Sequence, residues 1–376
     1  MWDGRAICLT HIVSRAHLGT MTRKPKRAKI EPLKFSGKRP TINDVARLAR
    51  VSKKTVSRII NKSPFVKDKT REHVDAIIKE LGYRPDPMAQ GLASKRSFLV
   101  GLIYDQPNPQ YVIDMQQGIL DVIRGSGFEL LVHPCRRQAP DFLQNVRAFV
   151  ERQKLAGVVL PPSVSEDDAL IKILQEFDCP YVRIASVPLD EPEHSIVTHD
   201  AEGAQEAAEH LAGLGHTRIA HVSGPDTFRS AHERRAGFVR GLKAHKLKLE
   251  RELDVKAAYT FQSGVDAGRQ LMKLADPPTA IFCGNDEMAA GVCQAVREAG
   301  REIGKHVSVV GFDDSPLASR LWPALTSVLL PIRLMGRMAS TRLLGDSLIG
   351  EPPPEEALGE VHPKLVVRGS TGPRRP

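Results

Sequence analysis

Apolar residues recur at helical spacing between residues 41 and 82 and predict three short helices. Each of the first two helices follows a good N-cap residue, Thr41 or Ser52, and has one apolar and one polar face. The third ends at Gly82, the residue type that most often terminates a helix. Two helices joined by a very short turn, with basic side chains on the outer face of the second, are typical of a helix-turn-helix. The first predicted helix covers Ile42 to Ala49 and the third covers about Lys69 to Leu81.

The pattern changes at Phe98, where short apolar strands begin to alternate with amphipathic helices. The first strand is expected at Leu99 to Tyr104, and a second series of the same kind starts at Ile196. Strand, helix and strand in series predict a parallel sheet with helices on both faces. The predicted fold is therefore a small all-α helix-turn-helix head followed by an α/β core of two doubly wound parallel-sheet subdomains.

The charge of the chain is divided in the same way as its pattern. Residues 1–98 contain 23 Lys and Arg against 8 Asp and Glu, whereas residues 99–376 contain 31 against 36. A basic module joined to a mildly acidic body indicates a nucleic-acid-binding head on a domain with another task. Residues 1–39 are expected to be a disordered basic extension, and a translation start at either Met1 or Met21 stays open.

Several classes of protein are excluded by what the sequence lacks. No window approaches the roughly 18 apolar residues of a membrane span. The five cysteines form no Cys-x-x-Cys pair, which favours a reducing, cytoplasmic setting. No nucleotide-binding or catalytic motif occurs, and no Cys, Asp or Glu stands at metal spacing from His210, His216 or His221. We therefore expect no catalytic residue, no metal and no cofactor.

A series of ordered motifs resembles the lac/gal repressor family over about residues 40–370. The motifs are Thr41-Ile-Asn-Asp-Val-Ala46, Val51-Ser-Lys-Lys-Thr-Val-Ser-Arg58, Asn61, Leu81-Gly-Tyr-Arg-Pro85, His210-Leu211, Leu214-Gly-His-Thr-Arg-Ile-Ala220, Arg234-Arg-Ala-Gly-Phe238, Pro277-Pro-Thr-Ala-Ile-Phe282, Asn285-Asp-Glu-Met-Ala289, Val309-Val-Gly-Phe-Asp-Asp314 and Pro323-Ala-Leu-Thr326. The resemblance implies a core similar to periplasmic sugar-binding proteins, whose chain crosses between two halves three times.

The resemblance also implies a domain organisation. After the extension at 1–39, the helix-turn-helix domain covers 40–84, a hinge helix or linker covers 85–97, and the effector-binding and dimerisation core covers 98–376. The N-subdomain takes about 98–197 and 328–349, and the C-subdomain about 198–327 and 350–370. The crossovers are expected near Thr198, Ser327 and Gly350.

For DNA, the resemblance assigns three kinds of contact. Base reading in the major groove falls to Lys53, Lys54 and Arg58, whose long cationic side chains suit guanine acceptors. The alternative for each lysine is a phosphate contact or a solvated face. Phosphate contacts are expected from the small polar residues Thr41, Ser52, Thr55, Ser57 and Asn61. The minor groove would receive the hinge residues Ala89 and Leu92, although Leu92 could instead pack on its own domain.

For the effector, the loops that follow the parallel strands supply the candidates, because ligands bind beyond the carboxyl ends of strands in open α/β sheets. By family position, the best candidates are Arg234, Asn285 and Asp313. The second group contains Asp105, Asp200, Phe261 and Trp322. Cations and carboxylates beside an aromatic wall suit the hydroxyl groups of a sugar. Asp200 has an alternative role as a helix cap.

These observations predict a sequence-specific DNA-binding transcription regulator, a repressor that binds a pseudo-palindromic operator as a homodimer and is released by a small molecule, with a sugar favoured. A purine-type corepressor mechanism and a transcriptional activator are the alternatives with the same fold. The effector, the operator sequence and the regulated genes are not determined by the sequence.

Overall fold

The computed structural model describes residues 40–60, 65–83, 97–345 and 360–375 of the chain. These residues form two compact units, one before and one after residues 84–96. The predicted basic extension, Asn61, the hinge positions Ala89 and Leu92, and the crossover near Gly350 lie outside the described residues.

The first unit contains three helices around one small apolar core, as predicted: α1 (Ile42–Ala49), α2 (Lys53–Ile60) and α3 (Asp68–Leu81). Thr41 is the N-cap of α1, and its backbone N–H donates to Asp44 Oδ2 at 3.0 Å. Gly82 ends α3 with a φ of +59°, which glycine adopts without strain. The buried side chains of the described part of this unit are Val45, Ala46, Ala49, Val56, Ile59 and Val74.

The second unit begins with a five-stranded parallel sheet in the order β2-β1-β3-β4-β5. Its strands are β1 (Leu99–Tyr104), β2 (Glu129–Pro134), β3 (Gly157–Leu160), β4 (Tyr181–Ala185) and β5 (Ser195–Val197), and its helices are α4 (Pro109–Ile123), α5 (Phe142–Gln153) and α6 (Asp168–Glu176). Successive strand side chains point to opposite faces. Leu102 accordingly packs in the cluster that contains residues of α4, and Ile103 in the cluster that contains residues of α5.

A six-stranded sheet in the order β11-β10-β9-β8-β6-β7 follows. Its strands are β6 (Ile219–Ser223), β7 (Asp254–Lys256), β8 (Ala280–Cys283), β9 (Ser308–Asp313), β10 (Thr326–Leu329) and β11 (Lys364–Val366), and its helices are α7 (Asp200–Gly213), α8 (Arg229–Ala244), α9 (Phe261–Met272), α10 (Asp286–Glu298) and α11 (Pro316–Arg320). The pairs are parallel except for β10 with β11, which is antiparallel. The two sheets confirm the predicted α/β core.

The chain passes from the first sheet to the second after β5, at Thr198 and His199. It leaves the second sheet after β10, at Leu330 and Pro331, a few residues beyond the position expected at Ser327. The next helix, α12 (Ile332–Leu344), packs so closely on α4 that a Cβ placed on Gly118 would lie 2.1 Å from the carbonyl oxygen of Arg333.

The helices that the structure describes include none that is both long enough and apolar enough to cross a membrane.

Candidate functional site

The outer face of α2 is the candidate DNA-reading surface of the first unit. Lys53, Lys54 and Arg58 are exposed, whereas Val56 and Ile59 are buried in the helical core. The amphipathic pattern of α2 therefore turns all three predicted base-reading side chains toward solvent, where long cationic groups can reach the edges of bases.

Three of the predicted phosphate-contacting residues, Thr41, Ser52 and Thr55, lie near the starts of α1 and α2. The Thr41 hydroxyl donates to Asp44 Oδ2 at 2.7 Å, and this hydrogen bond is the main cause that lowers the pKa of Asp44. Ser52 caps α2, since its Oγ accepts the N–H of Thr55 at 3.0 Å, and the two hydroxyls lie 2.8 Å apart. Ser57 is half-buried on α2. These small polar groups stabilise the helix ends through capping hydrogen bonds. Their hydroxyl groups nevertheless remain at the surface.

The second unit contains a buried cavity of about 20 Å³ between its two halves. The first half contributes residues after β1 and β3 and on α4 and α12. The second half contributes the first residue of α7, residues of α8, residues of the loops after β6, β7 and β8, and the last residue of β9. The lining residues are Gln106, Asn108, Tyr111, Pro162, Thr198, Asp200, Phe228, Ser230, Arg234, Tyr259, Asn285, Asp313, Leu330 and Met335. The cavity therefore lies beyond the carboxyl ends of the strands, where ligands of open α/β sheets bind.

Arg234 is the central charged group of the cavity. Its Nε donates to Asp200 Oδ2 at 2.7 Å, its Nη1 donates to the Gly284 carbonyl and lies 3.7 Å from Asp313 Oδ1, and the guanidinium carbon lies 3.7 Å from the centre of the Phe312 ring. Burial lowers the pKa of Arg234, but Asp200, Tyr259 and Asp313 together outweigh burial and raise it above its ordinary value. The guanidinium therefore stays charged, and it holds the side chains of Asp200 and Asp313 near each other.

The acids around Arg234 outnumber it. Burial raises the pKa of Asp313 to about 8. Arg234 counteracts burial only in part, because it makes its close contact with Asp200 and lies farther from Asp313. Burial also raises the pKa of Asp286, which accepts the Ser327 hydroxyl at 2.5 Å, to about 7. Because Arg234 pairs closely with Asp200 alone, Asp313 keeps its proton at neutral pH.

The raised pKa predicts a pH-dependent effect of Asp313→Asn on stability. Between about pH 4 and pH 8 the unfolded chain loses the Asp313 proton while the folded chain keeps it, so this group lowers stability as pH rises. Asparagine does not titrate. We expect the variant to gain more than about 1 kcal/mol relative to the parent between pH 5 and pH 9, measured by urea unfolding. The exposed Glu151→Gln should show no such gain, and equal pH profiles for Asp313→Asn and the parent would contradict the prediction.

The first half supplies cavity residues that the sequence analysis did not single out. Asn108 caps α4 through its Oδ1 and directs its Nδ2 at Asp313 Oδ2, 3.4 Å away. Tyr111 is buried, and its hydroxyl has no hydrogen-bond partner among the described residues. Burial raises the pKa of Tyr111, so the hydroxyl stays protonated. Asn108 could have been found as a helix cap four residues after β1, whereas Tyr111 lies within an apolar stretch and has no sequence signal of its own.

The seven predicted effector residues divide into two groups in the structure. Asp200, Arg234, Asn285 and Asp313 line the cavity together. Asn285 also caps α10, since its Oδ1 accepts the Met288 N–H at 2.9 Å.

The other three predicted residues do not line this cavity. Asp105 instead accepts the backbone N–H of Arg137 at 2.9 Å. Phe261 is the first residue of α9 and Trp322 is 88% exposed. The family resemblance assigned these three to the effector site, but their side chains do not face this cavity.

The histidines considered at the sequence level have structural partners. His210 lies 3.0 Å from Thr371 Oγ1, and His216 lies between Thr279 Oγ1 and Ser308 Oγ at 2.9 and 3.0 Å. The buried His221 bonds Asp254 Oδ1 at 2.9 Å and stacks on Phe238. These contacts join strands, helices and the C-terminal segment.

Comparison with known proteins finds a matching family for each of the two units. Residues 41–86 match the model of bacterial regulatory proteins of the lacI family, and residues 208–371 match the periplasmic binding protein-like domain. The chain is 32% identical to the probable HTH-type transcriptional repressor ExuR of Bacillus subtilis, over 83% of this chain and 92% of that protein.

Two solved structures are similar over almost the whole of their own length. The complex of the transcriptional regulator CelR with cellobiose has a TM-score of 0.64 at 31% identity and covers 88% of this chain and 100% of that chain. The lac repressor dimer bound to operator and the anti-inducer ONPF has a TM-score of 0.72 at 29% identity, with 89% and 100% covered. The chain therefore belongs to the lacI family of bacterial regulatory proteins and is a DNA-binding transcription regulator, not an enzyme.

Proposed function

We propose that this protein is a cytoplasmic repressor that binds a pseudo-palindromic operator as a homodimer and leaves it when a neutral sugar or sugar derivative enters the cavity around Arg234. The single observation that supports a sugar-like effector is the composition of that cavity, in which buried charged and hydroxyl groups from both halves converge. Aromatic walls with a few convergent polar groups are typical of small-molecule sites. CelR with cellobiose is a relative with a sugar bound.

The hydrogen-bonding capacity of the cavity suits hydroxyl groups. The unpartnered Tyr111 hydroxyl can donate or accept, the Asn108 amide makes only a long bond to Asp313, and Arg234 adds further donors. Buried polar groups without partners cost free energy, and a ligand hydroxyl that reaches them recovers it. A polyhydroxylated ligand therefore gains more here than an apolar one.

The charge of the lining favours a neutral ligand over an acidic one. Asp200 and Asp313 face the cavity with Arg234 as their shared cation. A phosphate or carboxylate would have to compete with the Asp200 carboxylate for the guanidinium, and it would meet the like charge of that carboxylate in a buried place. We therefore place unphosphorylated sugars before sugar phosphates and sugar acids.

The link from the cavity to DNA would be the relative position of the two halves. Besides the bond of Asn108 to Asp313, Glu166 Oε1 of the first half accepts the Arg229 N–H at the start of α8, 3.2 Å away, and Arg137 Nη1 donates to the Thr227 carbonyl at 3.4 Å. A cavity of about 20 Å³ has room for roughly one water molecule. A sugar needs more room than this, so we expect its entry to break these direct bonds and separate the halves.

A thermal-shift screen of the purified protein tests the effector, because a ligand that binds only the folded state raises the melting temperature. We expect neutral monosaccharides or disaccharides to raise it and the matching sugar phosphates to have less effect. A hit should then weaken operator binding, and saturating operator should weaken sugar binding by the same factor, typically about 5–150-fold. Sugar affinity that is unchanged by operator would contradict this mechanism.

The purine-type corepressor remains the second candidate, because the cavity has flat aromatic walls. Phe228 and Tyr259 meet edge to face with ring centres 5.4 Å apart, and Tyr111 faces the same space. Such rings can stack on a base. The same screen separates the two: a purine that raises the melting temperature and strengthens operator binding would replace the sugar proposal.

For the operator, we propose that Lys53, Lys54 and Arg58 read bases, that Thr41, Ser52, Thr55, Ser57 and Asn61 contact phosphates, and that Ala89 and Leu92 contact the minor groove. The exposure of the three cations supports the first part. The last part rests on the family resemblance.

Arg58→Ala is expected to lower operator affinity by about 5–150-fold, since one good base contact contributes roughly 1–3 kcal/mol. Binding to unrelated DNA at the same salt concentration should fall much less, because that binding depends on phosphate contacts. Lys79→Ala, which removes an exposed cation of α3, is the control. Equal losses on operator and unrelated DNA, measured by fluorescence anisotropy, would make Arg58 a phosphate contact.

A further inference from the structure

A cluster of two histidines and two glutamates lies at the crossover between the two halves. His199 follows β5, Glu202 lies in the first turn of α7, and Glu360 and His362 precede β11. One ligand atom each from His199, Glu202 and His362 lie within 4.8 Å of one another. We propose that these three residues bind a divalent transition-metal ion, Zn²⁺ or an ion with similar ligand preferences. Glu360 orients the two imidazoles from the side of the rings that faces away from the ion.

The rings are arranged so that equivalent nitrogens face the same carboxylate. The imidazoles of His199 and His362 stack with centres 4.4 Å apart and planes 8° apart. Both Nδ1 atoms face Glu202, at 3.6 Å for His199 and 2.9 Å for His362. Both Nε2 atoms face Glu360, at 2.5 Å for His199 and 4.0 Å for His362.

This arrangement matches the chemistry of a metal site on two levels. Two imidazole nitrogens and one carboxylate oxygen are the ligand set of many zinc sites, with bonds of about 2.0–2.2 Å. The donor atoms are close enough for a small rotation of the exposed His362 side chain to bring them to one ion. Metal-binding histidines commonly donate their second ring nitrogen to a carboxylate, and Glu360 occupies that position.

The cluster lies where two segments of the chain that connect the halves come together. His199 lies between Thr198 and Asp200, which both line the effector cavity. Glu360 and His362 follow the segment in which the third crossover was expected. An ion bound here would tie the first crossover to the last strand of the second sheet. Its influence on effector affinity rests on the proposed function, whereas binding of the ion does not.

Zinc titration of the full-length protein tests the site without DNA or sugar. The protein is first freed of metal with a chelator, and Zn²⁺ is then added in competition with a chromophoric chelator. We expect one tight equivalent in the parent, at least about 10-fold weaker binding in His362→Ala, and about 10–100-fold weaker binding in Glu360→Gln, which acts through the outer carboxylate. His245→Ala, which removes an exposed histidine at the end of α8, should bind like the parent.

Two readouts separate the site from general histidine binding. Co²⁺ in place of Zn²⁺ should give the intense visible absorption of a tetrahedral site in the parent and in His245→Ala, and lose it in His362→Ala. Zn²⁺ should also raise the melting temperature of the parent but not of His362→Ala. Equal affinity and equal spectra in His362→Ala and His245→Ala would overturn the proposal, and the effector and operator proposals would be unaffected.

Discussion

Replacement of Arg234 by alanine is expected to destabilise the second unit by about 3–5 kcal/mol, because it leaves buried carboxyls without their cation. Asp200 would lose its bond at 2.7 Å and Asp313 its nearest positive charge. The melting temperature of the variant should therefore fall, and the proposed sugar should no longer shift it. Urea unfolding followed by circular dichroism measures the first effect, and the thermal-shift assay measures the second.

The neighbouring Arg235 provides the matched control. It also bonds an aspartate, Asp254, at 2.7 Å, but its side chain is 49% exposed. Arg235→Ala should cost about 1 kcal/mol or less, since exposed ion pairs contribute little. Arg234→Lys keeps the charge and loses the planar fork, so it should fold better than Arg234→Ala and bind sugar more weakly than the parent. If Arg234→Lys and Arg234→Ala both kept the full response to sugar, the effector would have to bind outside this cavity.

Gly237→Ala is expected to destabilise the second unit by at least about 3 kcal/mol, because overpacking here displaces backbone and not a flexible side chain. A Cβ on Gly237 would lie 1.9 Å from the carbonyl oxygen of Ala201 and 2.7 Å from its carbonyl carbon. Helices α7 and α8 would have to separate. Since Arg234 lies one turn before Gly237 on α8, the displacement would also disturb the cavity.

Gly213 on α7 is the control for this substitution. Apart from its chain neighbours and the backbone of its own helix, nothing in the described structure lies within 4 Å of a Cβ placed on it. Gly213→Ala should therefore be neutral or add up to about 1 kcal/mol of stability through helix propensity. Unfolding midpoints of the two variants, compared with the parent, measure the difference. A Gly237→Ala variant as stable as the parent would show that the two helices adapt without cost.

Local patterns predicted the elements well because the interactions that define them act over a few residues. The N-cap residues Thr41 and Ser52 and the terminator Gly82 bound the helices at the expected places. The strand at Leu99–Tyr104 is found as predicted, because a run of apolar residues of that length suits a strand buried on both faces. The second crossover lies later than expected, because β10 continues to Leu329 in its pairing with β9.

The candidate site was predicted less completely. Arg234, Asn285, Asp313 and Asp200 meet at one cavity, but position in the family motifs could not show that Trp322 is exposed. In the first half, Tyr111 with its buried hydroxyl was not foreseen. Loop residues near a strand end share a location, whereas the direction of each side chain depends on packing with distant segments.

The sequence by itself determined the helical head and the division into a basic module and an α/β core, because periodicity, capping and charge are local properties of the chain. The family followed from the resemblance of its ordered motifs. Only the tertiary structure decided which charges meet. The proton held by Asp313 depends on its distances to Arg234 and Asp200, and the cluster of His199 and His362 joins residues about 160 positions apart. Buried electrostatics and metal coordination depend on separations of a few ångströms, and those separations are set by how the two halves pack.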